Sequence, residues 1–136
     1  MLKEILSISG KPGLFKLISQ GKNMIIVESL IDKKRIPSYS HEKVVSLGDI
    51  AIFTDNEEVP LREVFDKIKT KENGGVASID PKADSKLLQV YFGEVLPDFD
   101  RERVFPSDIK KVLNWYNILI NNGITDFVEN VETKKE

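Results

Sequence analysis

Hydrophobic and polar positions divide the chain into two parts with different periodicities. Up to about residue 54, short apolar runs rich in β-branched residues alternate with turn residues, which is typical of β-strands. These runs cover residues 14–19, 24–31, 36–39, 44–47 and 50–53. The residues Gln20-Gly21-Lys22-Asn23 between the first two runs predict a hairpin. Pro37 has no backbone N–H, so we expect its strand at a sheet edge or a bulge.

Two segments in the second part have the spacing of amphipathic helices. The first covers residues 60–71, where the apolar side chains fall on one face and the charged side chains lie elsewhere. The second covers about residues 81–95. Asp80 and Pro81 predict its N-cap and its first helical residue, because aspartate accepts free backbone N–H groups and proline tolerates the first turn.

The third helical segment opens at Ser107 and ends at Gly123, and it has the strongest periodicity in the chain. Trp115 and Ile118 fall outside its apolar stripe, so apolar side chains cover more of this helix than one packed surface needs. Either residues 124–127 fold back over them, or they form a contact with a homodimer or another protein partner. The stripe itself consists of Ile109, Val112, Leu113, Tyr116, Leu119 and Ile120.

These elements predict an α+β protein. About five short strands that are apolar on nearly both faces favour a small SH3-like β-barrel, covered on the outside by a three-helix C-terminal part. We expect the barrel in residues 1–56 and the helical part in residues 57–127. Residues 128–136 offer little to bury, so we expect a disordered tail there.

Composition excludes several kinds of site. The chain has no cysteine and one histidine, His41, which excludes disulfides, cysteine nucleophiles, cysteine-based zinc sites and sites that need two histidines. Residues 1–50 hold eight Lys and Arg against five Asp and Glu, whereas the remainder holds twelve against seventeen. This asymmetry is far weaker than that of a dedicated nucleic-acid binder. The apolar runs are too short for a membrane span or a signal peptide, so we expect a cytoplasmic protein.

Two motifs suggest chemistry but fit poorly. Residues 9–13, Ser-Gly-Lys-Pro-Gly, lack the spacing of a phosphate-binding loop and predict a tight turn. Asp98, Asp100 and Glu102 alternate as hard-cation ligands could, but Arg103 stands where a calcium loop requires glycine. We therefore predict no catalytic residue, no metal site and no cofactor, and we do not favour an enzyme.

A basic turn is the candidate site for an anionic partner. Lys33, Lys34 and Arg35 lie near Tyr39 and His41 along the chain, and small barrels bind nucleic acid through loops that combine cations with stacking aromatics. The alternative is a solubilising hairpin turn, because charges at strand ends also prevent edge-to-edge pairing.

Residues 2–15 and the stretch Ser46-Leu47-Gly48-Asp49-Ile50 resemble a family of small bacterial proteins catalogued as a domain of unknown function. The resemblance implies a bacterial cytoplasmic protein with one architecture, and it transfers no functional residue to this chain.

The sequence therefore favours a binding or assembly module that acts through protein–protein contacts. The first alternative is nucleic-acid binding through the basic loops of the barrel. The second is a metal-dependent hydrolase that uses Asp98, Asp100 and Glu102.

Overall fold

A computed structural model describes residues 4–11, 13–39 and 43–124. The fold is α+β, as the sequence predicts. The strands are β1 (Ile5–Ile8), β2 (Phe15–Gly21), β3 (Met24–Ser29), β4 (Arg35–Tyr39), β5 (Val44–Ser46), β6 (Ala51–Phe53) and β7 (Glu58–Pro60). The helices are α1 (Leu61–Lys71), α2 (Ser85–Val95) and α3 (Pro106–Asn121).

Five strands form an antiparallel sheet in the order β4-β3-β2-β1-β5. The predicted hairpin joins β2 to β3, and Gly21 pairs with Met24, so Lys22 and Asn23 make the turn. Asn23 has a φ of 62°, which asparagine tolerates better than most residues. Pro37 lies in β4, an outer strand of the sheet, as its missing N–H requires.

One face of the sheet carries a small core of its own. Leu6, Ile8, Phe15 and Val27 are buried there, and partly buried side chains from both outer strands pack against them, including Val44 of β5. Paired residues of neighbouring strands lie on the same face, so this core covers one face of the sheet. The hydrogen-bonded pairs among the described residues do not join β4 to β5, and a closed barrel is not formed by them.

Two strand assignments differ from the sequence prediction. The run at residues 50–53, expected in the barrel, contributes β6, which pairs with β7 in a separate two-stranded sheet. β1, which was not among the five predicted strands, lies between β2 and β5 instead. Strand pairing joins residues that are distant along the chain, so a local apolar run does not reveal its partner.

The starts of α1 and α3 lie within one residue of their predicted positions, and the start of α2 needs a larger correction. α2 begins at Ser85 rather than at residue 81, because Asp84 has extended backbone angles and its carboxylate accepts a hydrogen bond from the Lys86 N–H. Asp80 accepts from the Lys82 N–H in a separate turn before the helix. The predicted stripe of α3 is buried except at Ile120, which is half-buried.

The other face of the sheet and the helices share one hydrophobic core. Ile5, Leu14 and Leu47 from the β-rich part are buried in the same cluster as Phe65 of α1 and Tyr116 of α3. The helices therefore pack on the sheet. None of the helices in the described residues has the length and apolar character needed to cross a membrane.

Candidate binding groove

Trp115 and Ile118 lie on one side of α3, beside its buried stripe. Both side chains are half-buried and pack against the main core, and Trp115 is the single tryptophan of the chain. Ile124, also half-buried, packs on the same core. The other residues of the predicted covering segment, 125–127, lie outside the described residues.

Two hollows meet at Trp115, and we call them together the α3 groove. The first, of about 250 Å³, lies between α3 and residues 50–53 and is also bordered by Arg103 and Lys111. The second, of about 430 Å³, lies between α3 and the loops at Gly13 and Ile31. Trp115 and Lys111 border both hollows, so the two form a continuous surface along the helix.

One wall of the first hollow is an open strand edge. Leu61 N–H donates to Ile50 C=O and Thr54 N–H donates to Glu57 C=O, so the even-numbered residues of this stretch direct their backbone groups to β7. In an antiparallel pair the residues between them direct theirs to the other side. The Phe53 carbonyl accepts there from Asp100 N–H at 2.9 Å. In the part of the chain that the structure describes, no strand pairs with the remainder of this edge.

Arg103 and Asp108 at the groove have bonded partners, whereas Lys111 has no ion pair with a described residue. Arg103 lies 4.2 Å above the Phe53 ring and pairs with Asp100 at 2.7 Å. This ion pair holds the pKa of the Asp100 carboxyl below its ordinary value. Asp108 accepts a hydrogen bond from the Phe105 N–H at 3.0 Å. Lys111 makes no ion pair with any described residue, so it is the unneutralised charge at the junction of the two hollows.

The side chains of the basic turn contact different partners in the fold. Lys33 donates through its Nζ to Asn122 Oδ1 at the end of α3, and Arg35 pairs with Glu28 at 3.1 Å. Tyr39 is half-exposed at the far end of β4, about 13 Å from Arg35 at roughly 3.3 Å per strand residue. The structure therefore does not bring Tyr39 to the turn that carries Lys33, Lys34 and Arg35. His41 lies outside the described residues.

In the acidic alternation after α2, Asp98 and Asp100 are held by hydrogen bonds within their own segment and to the connection after β6. Asp100 accepts from the Glu102 N–H at 2.9 Å as well as from Arg103, and the Asp98 carbonyl accepts from the Asp55 N–H. The described residues contain no group of three or more His, Asp or Glu side chains placed to hold a metal ion.

A second polar cluster, at the end of α1, serves the fold. The Glu72 carboxylate accepts from the Ser78 N–H, the Ser78 hydroxyl and the Tyr91 hydroxyl. Partial burial raises the pKa of Glu72, but these hydrogen bonds outweigh it and leave the pKa below its ordinary value. Burial and the bond to Glu72 raise the pKa of Tyr91 far above its ordinary value. These hydrogen bonds hold the connection between α1 and α2 against α2.

The sequence indicated part of the groove. Trp115 and Ile118 stood out because they left the apolar stripe of α3. The sequence could also have placed Lys111 at the groove, since it precedes Trp115 by four residues and so lies on the same helix face. No sequence pattern predicts the open edge of β6, because the apolar run of a strand does not reveal which strand pairs with it.

Comparisons with known proteins identify relatives for most of the chain. Residues 2–47 match a domain of unknown function, DUF5606, and residues 50–119 match another, DUF6852. A solution NMR structure of a Bacteroides vulgatus protein, from a structural genomics consortium, has 65% sequence identity and a TM-score of 0.79. The alignment covers 95% of this chain and 92% of that one. The comparison with curated proteins gave no match.

The two family models meet between residues 47 and 50, where β5 ends and the stretch leading into β6 begins. The boundary expected at residue 56, between the β-rich part and the helical part, stays a prediction. The chain belongs to a family of small bacterial proteins built from the domains of unknown function DUF5606 and DUF6852.

Proposed function

We propose that this protein is a non-enzymatic binding module that holds another protein in the α3 groove. One observation carries the proposal: the single tryptophan of the chain borders two adjoining hollows, next to an open strand edge. Tryptophan contributes more than most residues to protein–protein binding when it fills or borders a pocket.

Three features of the groove support a protein as the partner. Trp115 and Ile118 supply apolar surface that is half-buried and held by the core, so it is already ordered before binding. Ile31 is 61% exposed and borders the second hollow with Trp115 and Ile118, so it extends the apolar surface of the groove. Lys111 and Asn114 are exposed at the rim, where polar groups give orientation rather than most of the affinity.

The sheet has a scaffold role in this proposal. We assign it to the SH3-like class of small barrels on the ground that Ile36 of β4 and Val44 of β5 pack on one core. We place the module in the cytoplasm, on the absence of cysteine from the sequence and its charged composition.

The experiment is a pull-down with tagged full chains from an extract of the organism that encodes them. The groove variant Trp115→Ser/Ile118→Ser is compared with Leu87→Ser/Val90→Ser, which alters two exposed apolar residues on α2. A further variant, Asn114→Arg, adds a bulky charge at an exposed groove position without touching the core. Circular dichroism melts establish that each variant is folded.

We expect a partner that the wild type and the α2 variant both retain and that both groove variants lose. Light scattering of the purified chains detects the case in which the partner is a second copy. Equal capture by all the folded chains would rule out the α3 groove as the binding surface.

A further inference from the structure

We propose that the α3 groove binds an extended, acidic segment of another protein as a strand added to the open edge of β6. This inference rests on the proposed function and specifies the chemistry of the partner.

The backbone of β6 offers a short template for strand addition. The register with β7 leaves the N–H and C=O of Ala51 and the N–H of Phe53 directed away from β7. An incoming strand forms hydrogen bonds with these backbone groups, as strands do when they bind to exposed sheet edges. The Asp100 N–H already occupies the Phe53 carbonyl, so the added strand ends there and extends past Ala51 toward Ile50.

The walls of the first hollow favour an extended segment over a helix. The hollow is bordered by four consecutive residues, 50–53, on one side and by α3 on the other. A strand lying along this edge directs alternate side chains to the two faces of the small sheet. On the side of α3 those side chains meet Val112 and Trp115, which favours apolar residues at every second position.

Charge favours acidic residues at the remaining positions. Arg103 is neutralised by Asp100. Asp108 also borders the first hollow and keeps its charge, but it lies in the first turn of α3, where the Phe105 N–H and the positive end of the helix dipole offset part of that charge. Lys111 is exposed, borders both hollows and has no ion-pair partner among the described residues. A carboxylate on the bound segment would pair with Lys111, whereas a cationic segment would meet an unneutralised ammonium group.

The test uses two displayed libraries of ten-residue peptides with the wild-type full chain as target. In both libraries Val, Ile, Phe or Tyr alternate with a second set of residues. That second set is Asp, Glu, Ser or Thr in the acidic library and Lys, Arg, Ser or Thr in the basic library. The most enriched peptide is then synthesised, and amide hydrogen exchange is measured by NMR with and without it.

We expect enrichment from the acidic library and slower exchange of the Ala51 and Phe53 amides by at least about tenfold in the complex. The Ile52 amide is the internal control, because it bonds to β7 in both states. Lys111→Glu should weaken binding of the acidic peptide by roughly tenfold, since it replaces attraction with repulsion at the rim. Its melting curve should remain that of the wild type, because Lys111 is exposed.

Three results would overturn strand addition, and they differ in what they say of the proposed function. Enriched peptides that leave the Ala51 and Phe53 exchange unchanged would keep the groove as a binding surface and exclude pairing with β6. Slow exchange of both amides in the free chain would mean that the chain itself covers the edge. No enrichment from the acidic library, or a preference for the basic one, would exclude an acidic strand, while the pull-down decides separately on the groove.

Discussion

The hydroxyl of Tyr116 donates a 2.6 Å hydrogen bond to the backbone carbonyl of Gly75. Tyr116 is fully buried in the stripe of α3, and Gly75 lies in the connection that follows α1. The next residue of α3 makes a second hydrogen bond to the same connection, because Asn117 Oδ1 accepts from the Ala77 N–H at 2.8 Å. α3 thereby orders a long segment that has no regular secondary structure of its own.

Removal of the Tyr116 hydroxyl should destabilise the protein without unfolding it. Tyr116→Phe keeps the ring in the core and leaves the Gly75 carbonyl without this donor, so we expect a loss of about 1–2 kcal/mol in the free energy of unfolding. Urea denaturation monitored by Trp115 fluorescence measures it. A variant as stable as the wild type would mean that water replaces the hydroxyl at no cost.

The same tyrosine predicts a loss of stability at alkaline pH. Burial raises the pKa of Tyr116 to about 12 from an ordinary value of 10.0. The folded state keeps this proton where the unfolded state has lost it, so its contribution is complete below pH 10 and is lost as the pH rises toward 12. Unfolding curves at several pH values should fall less steeply in this window for Tyr116→Phe. Parallel curves for the two proteins would contradict the assignment.

Glu72 predicts the opposite dependence at acidic pH. Its hydrogen bonds from Tyr91 and Ser78 leave its pKa below the ordinary value of 4.5, so the folded state stays ionised where the unfolded state binds a proton. The contribution is present above pH 4.5 and is lost as the pH falls through the lower folded pKa. Glu72→Gln should be less stable than the wild type at pH 7, and the difference should shrink on acidification. A constant difference down to pH 3 would show that the carboxylate charge is not involved.

The sheet and the helices should unfold as one unit, because they share a buried core. Leu47 follows β5 and is fully buried in the cluster that contains the helices. We expect Leu47→Ala to cost about 2–5 kcal/mol, the usual range for a buried leucine. The unfolding midpoints measured from the NMR signals of β3 and from the fluorescence of Trp115 should then both shift to the same lower urea concentration. Separate midpoints for the two probes would indicate independent units.

The disposition of the basic turn predicts weak or no binding to nucleic acid. Lys33 and Arg35 are engaged by Asn122 and Glu28, and Tyr39 lies at the other end of its strand. We expect no gel shift of single-stranded RNA or DNA by micromolar protein at low salt. Binding that weakens steeply with added salt and is abolished by charge reversal at Lys33, Lys34 and Arg35 would contradict this.

The elements with local causes were predictable from the sequence. The stripe of α3 and the face of α1 follow from side chains three and four residues apart, which are neighbours in any helix. The hairpin at Lys22 and Asn23 and the outer position of Pro37 follow equally from backbone chemistry within a few residues. The start of α2 was placed too early because Asp80 and Asp84 both have the side chain of an N-cap, and the sequence does not say which one opens the helix.

Tertiary structure alone decided how these elements pair and what they enclose. The position of β1 between β2 and β5, and the separate pairing of β6 with β7, depend on contacts between residues far apart in the chain. The α3 groove has the same origin. Trp115 and Ile118 could be identified as unusual from their periodicity, but the edge of β6 beside them and the unneutralised Lys111 exist only once distant segments are packed together.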